Sequence, residues 1–74
     1  MTLDKLNIKE SASIINIDCD SVLKNRFYSF GIVKGSTIIV EAITLTRSTI
    51  EIKVNNSKIA LRISEAAKIK VEKC

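Results

Sequence analysis

The sequence predicts a mainly β fold, a small barrel of five short strands with one short helix and one or two helical turns. Apolar and polar residues alternate over five separate stretches, at the spacing of short strands joined by turns. Isoleucine and valine dominate the 46% of the 74 residues that are hydrophobic, and branched side chains suit a pleated, half-buried surface. Proline is absent and glycine occurs twice, which is not the composition of a linker or a disordered segment. A chain this short buries only about 60% of the surface its unfolded form exposes, so a single small domain over residues 1–74 is expected. Closing the sheet into a barrel removes the bare strand edges that would make so isoleucine-rich a chain aggregate.

The elements follow in order. Leu3 and Leu6 face one way on a single helical turn and can plug one end of a barrel, leaving Asp4 and Lys5 to water. Ala12, Ile14 and Asn16 alternate with Ser13, Ile15 and Ile17 in a first strand that is apolar on both faces, as in a central strand. Asp20 or Ser21 caps a helix in which Leu23, Phe27 and Phe30 fall at i, i+4 and i+7. Leu23 and Phe27 point to the core, while Lys24 and Arg26 take other faces and Tyr28 stays partly exposed. The helix stops at Gly31 and Gly35 opens the next strand, because glycine takes positive φ without a Cβ clash.

From Ser36 to Thr44, Ile38, Val40 and Ala42 form one face and Ile39, Glu41 and Ile43 the other. A loop with Thr46 and Arg47 leads into Ile50, Ile52 and Val54, with Glu51 and Lys53 toward solvent. Asn55, Asn56 and Ser57 turn the chain, asparagine tolerating left-handed backbone. Ile59, Leu61 and Ile63 return antiparallel, with Ala60 and Arg62 on the opposite face. Ser64 caps one helical turn in "SEAAK", and Ile69 and Val71 close the sheet with Lys68, Lys70 and Glu72 outward.

Composition excludes several functions. No apolar run exceeds three residues and the N-terminus lacks a charged-then-apolar start, so neither a transmembrane span nor a signal peptide is expected. A cytoplasmic location follows, where Cys19 and Cys74 stay reduced. Two distant thiols and no histidine make a poor metal site, and no metal or other cofactor is expected. There is no histidine to act as a base, no Gly-rich phosphate loop and no paired carboxylates at a recognisable spacing, so the chain reads as a non-enzyme. The formal charge of +4 is spread from Lys5 to Lys73, a mild bias toward acidic partners that salt weakens.

Three segments carry a family resemblance. "RFYSFGIVKG" at Arg26–Gly35 has the pattern R-x-x-x-x-G-I-x-x-G, Ile50–Val54 reads I-x-I-x-V, and "IALRISEA" at Ile59–Ala66 reads I-A-L-R-x-x-x-A. In this order, and with an opening Leu-x-x-Leu turn, the chain resembles the FeoA family, the small cytoplasmic partner of the bacterial ferrous-iron transporter FeoB. The likeness runs over nearly the whole chain. It departs where the family usually carries Pro-Gly, here Ile8 and Lys9, and where a Gly-Asp-Pro-like loop is replaced by "TLTRST".

The resemblance implies an SH3-like barrel and a partner, a FeoB-type membrane GTPase-transporter at the inner face of the membrane. It implies no nucleic acid, no membrane insertion, and a monomer or weak homo-oligomer. Gly31, Gly35, Ala60, Leu61 and Ala66 are its structural motif. The partner surface lies around the glycine turn at Tyr28, Ile32, Val33 and Lys34, with one of Ile32 and Val33 given to the core. Arg26 and Arg62 have two readings, solvated side chains or contacts to a partner's carboxylates. An arginine finger in a GTPase is a lesser reading, since three arginines on a basic surface need no such role.

Three other functions are compatible. One is a detached regulatory domain like those of DtxR-type metal-dependent repressors. Another is an AbrB-like swapped-hairpin DNA-binding dimer, which "FGIVKGSTIIVEA" also resembles. Against it, no Arg-rich segment precedes the helix, and Ile59–Val71 adds a strand-turn-strand that such a dimer does not need. The last is a single-strand RNA binder, for which Phe27, Tyr28 and Phe30 are the only aromatics, two of them expected to be buried.

Overall fold

The alternating stretches fold into one antiparallel sheet in the order β4, β3, β2, β1, β5. A computed structural model describes residues 1–74. It consists of a 3₁₀ turn at Leu3–Lys5, β1 at Ser11–Ile17, α1 at Ser21–Ser29, β2 at Thr37–Ile43, β3 at Thr49–Val54, β4 at Ser57–Arg62, α2 at Ile63–Ala66 and β5 at Ile69–Lys73. Every strand sends side chains into one cluster of 17 buried residues, and no polar side chain is buried. The sheet therefore curls around its own concave face. Leu3 and Leu6 are both fully buried and plug one end, as their spacing predicts.

Two β-bulges change the predicted faces. Between Ile14 and Asn16 the register of β1 against β5 shifts, so Ile17 turns inward and Asn16 is exposed, the reverse of strict alternation. Between Val40 and Ala42 β2 slips against β3, leaving Ala42 exposed while Ile43 packs against the core. In each case one extra residue on one strand shifts the period by one and bends the sheet.

Asp20 caps α1, its Oδ1 accepting the Leu23 N–H at 2.8 Å. Phe27 is the helix's buried anchor and Leu23 packs only partly against the core, while Phe30, expected on the apolar face, is 36% exposed. The helix stops short of placing Phe30 inward. The Gly31 N–H donates to Tyr28 O at 3.0 Å and the Ile32 N–H to Phe27 O at 2.9 Å, the two bonds of a Schellman motif with Gly31 at φ 85°. Ile32 then meets the core beside Phe27, and Val33 turns outward.

Sheet closure by hydrogen bonding is not reached. β4 and β5 lie at opposite ends of the strand order, and α2 connects them without pairing. The N-terminus covers β5, through a bridge between Thr2 and Lys70 and a Val71 N–H donated to Met1 O at 2.9 Å. The outer edge of β4 has no such cover. Nor does Ser64 cap α2: the helix begins two residues earlier than that cap implies, with Arg62 as N-cap, because the Glu65 carboxylate accepts the Arg62 N–H at 3.0 Å.

Candidate functional site

The chain places its candidate residues on two neighbouring surfaces, one on either side of the C-terminal end of α1. The first is a shelf built by the glycine turn. The Ser36 N–H donates to Val33 O at 3.0 Å, so Lys34 and Gly35 are the corners of a tight turn, and Gly35 at φ 94° sits where only glycine is unstrained. The turn is pinned to β1 by the Gly35 N–H donated to Ile14 O at 2.7 Å, and to the helix end by Ser36 Oγ donating to Gly31 O at 3.1 Å. Val33, Lys34 and Gly35 thereby line an open depression with Lys53 and Asn55 opposite. Its lining contains two lysines and no carboxylate.

The second surface is a cleft of about 410 Å³ between Ser29 and Phe30 on one side and Ser57–Ala60 of β4 on the other. Arg26 borders it. Its guanidinium carbon stands 5.8 Å from the Phe30 ring centroid, within cation–π range, and its Nη1 lies 3.2 Å from Glu65 Oε2. Glu65 thus holds the Arg26 side chain with one oxygen and the Arg62 backbone with the other. Arg26 already has a carboxylate within its own chain, while the Arg62 side chain lies exposed on the outer face of β4.

Of the predicted surface residues, Arg26, Tyr28, Val33, Lys34 and Arg62 are accessible, and Val33 is 39% exposed. Ile32 is fully buried and cannot contact a partner. Among the motif residues Leu61 and Ala66 are core, whereas Ala60 is an exposed wall of the cleft. Reading the strands one at a time missed Phe30, Lys53 and Lys58. The signal available was the lysine on each side of the Asn55–Asn56 turn, since a tight hairpin sets such residues opposite one another.

The titratable groups give no reactive centre. Burial pushes the Cys19 thiol up, and the neighbouring Asp20 carboxylate adds to the effect, so the thiolate is disfavoured at neutral pH. Cys19 and Cys74 are both free. No three His, Cys, Asp or Glu side chains converge as metal ligands would. The Lys73 ammonium, bonded to Glu10 at 2.6 Å, and the Asn7 N–H hold the Glu10 carboxyl below the usual range. That pair ties the start of β1 to the end of β5.

A five-stranded, partly open barrel with this helix placement is an SH3-like domain. The crystal structure of the zinc complex of Stenotrophomonas maltophilia FeoA, a prokaryotic SH3 domain protein, is similar with a TM-score of 0.84 and 29% identity, over 97% of this chain and 89% of that one. Within that class the chain belongs to the FeoA domain family, whose profile matches residues 1–73. It is 37% identical over 67 residues to the Fe(2+) transport protein A of Helicobacter pylori, covering 89% of this chain and 88% of that protein. It is also 31% identical over 72 residues to the Fe(2+) transport protein A/Fe(2+) transporter FeoB fusion protein of Porphyromonas gingivalis, 97% of this chain and 8% of the fusion.

Proposed function

We propose that this chain is a cytoplasmic accessory protein of ferrous iron uptake, which binds a FeoB-type membrane GTPase-transporter and regulates it by contact. The observation that carries this reading is the Porphyromonas fusion, in which a segment similar to nearly the whole chain is joined to the transporter in one polypeptide. A covalent link holds both parts in one place, at one-to-one stoichiometry. No helix here is long and apolar enough to cross a membrane, so attachment would come through the partner. The accessible Arg26, Tyr28, Val33, Lys34 and Arg62 form the docking surface in this reading, and the chain neither catalyses a reaction nor carries iron itself.

The test is retention of the transporter from the same genome, in detergent, on the immobilised chain. Retention at low salt that weakens as salt rises is expected, because a basic chain meeting an acidic surface is screened. A change in the transporter's GTP hydrolysis on adding the chain would establish regulation. Absence of retention at low salt, with the chain folded, overturns the proposal.

A further inference from the structure

We infer that the outer edge of β4 takes an extended acidic segment of a partner protein as a sixth strand. The edge is open for a definite reason. The Ile63 N–H donates to Ser48 O at 2.9 Å, which sets the odd-numbered residues of this run toward β3. Backbone groups alternate in direction along an antiparallel ladder, so those of Lys58, Ala60 and Arg62 point the other way. Glu65 takes the Arg62 N–H. None of the backbone hydrogen bonds outside the ladders involves Lys58 or Ala60, whose residues wall the cleft opposite Phe30.

Charge selects the occupant. Lys53 and Lys58 stand directly opposite each other on β3 and β4, a cross-strand pair of like charge that destabilises a sheet left to itself. Arg62 lies further along the same exposed face. None of the chain's three ion pairs includes Lys53, Lys58 or Arg62. Two carboxylates stand near them: Glu51, opposite Ala60, and Glu65, which already holds Arg26 and the Arg62 N–H. A strand added to this edge would place alternate side chains beside Lys58 and Arg62, where carboxylates fit, and the others toward Ile59 and Phe30, where apolar groups fit. A second copy of this chain fits poorly, because antiparallel pairing about Ala60 would set Lys58 against the partner's Arg62. As a mode of docking for the transporter this inference rests on the function proposed above, but its test does not use the transporter.

Titrate the ¹⁵N-labelled full chain with the blocked peptide Glu-Val-Glu-Ile-Glu at up to millimolar concentration. Binding with shifted and exchange-protected amides at Lys58 and Ala60 is expected, and the matching Lys-Val-Lys-Ile-Lys peptide should leave them unmoved. N-methylation of the peptide at alternate residues should weaken binding about tenfold by removing the ladder bonds, and the double variant Lys58→Glu, Arg62→Glu should do the same through charge. Because the methylated peptide alters only the ligand, folding of a variant does not enter that comparison. No binding, equal binding of the methylated peptide, or shifts confined to other surfaces overturns the inference. So does sedimentation showing that β4 pairs two copies of the chain.

Discussion

Lys9 occupies φ 76°, a left-handed position that costs a side-chain-bearing residue about 1–2 kcal/mol. The Glu10 N–H donates to Asn7 O at 3.1 Å, so Ile8 and Lys9 are the corners of a tight turn before β1. With φ positive at its second corner, this is the turn for which Pro-Gly is the preferred sequence. The departure from the family pattern thus keeps the backbone and accepts the strain. Lys9→Gly is expected to raise stability by about 0.5–1 kcal/mol, the strain relieved less the entropy glycine adds to the unfolded chain. Thermal unfolding should register this as a rise of a few degrees. At φ 85° and 94°, Gly31→Ala and Gly35→Ala should each lose about 1–2 kcal/mol. A Cβ on Gly31 would meet the Asn55 side chain at 3.4 Å and one on Gly35 would meet open space, so at both positions the loss comes from the backbone angle.

Glu10 supplies a pH dependence at the same scale. Its folded-state pKa is lowered, chiefly by the hydrogen bond from Lys73, so its contribution to stability is present above the ordinary glutamate range. That contribution is lost as pH falls through the lowered value. Glu10→Gln should be less stable than the parent at neutral pH and converge with it in acid. Urea unfolding across that range checks the sign; a difference that does not change with pH would refute it.

At the scale of elements, α1 is nine residues long, shorter than a helix that stands alone in water. Its order comes from the Asp20 cap, the Schellman motif and the burial of Phe27. Phe27→Ala should cost about 3–5 kcal/mol, a large share of the roughly 5–15 kcal/mol that stabilises a small domain. Arg26→Ala breaks an exposed ion pair and should cost no more than about 1 kcal/mol. Both are measurable by denaturant unfolding. Element order and type were legible throughout because turn residues and periodicity are local. The inward faces of Ile17 and Ile43 were not, because a bulge is defined by the partner strand and leaves no mark on one strand read alone.

For the whole molecule, the open edge of β4 is the feature with the most consequence. Edge cations hinder pairing of identical chains, so the protein is expected to sediment as a monomer. Replacing both Lys58 and Arg62 by valine should produce concentration-dependent self-association, and the absence of any would show that these charges do not guard the edge. The candidate surface was half legible in sequence. Val33 and Lys34 are accessible as predicted, and Ile32 went to the core because the Schellman motif aims the residue after Gly31 at Phe27. Phe30 and Lys58 entered the cleft only through the approach of α1 to β4.

The sequence by itself determined the five strands, the two glycine turns, the buried end plug of Leu3 and Leu6, and the FeoA pattern. Each follows from residues within a few positions of one another, through periodicity, backbone freedom or capping. Tertiary structure decided where the period slips at the bulges, that Arg26 is held by Glu65, and that the barrel stays open along β4 while the N-terminus covers β5. Those outcomes depend on contacts between distant segments, which set what each strand meets and which backbone groups are left to meet a partner.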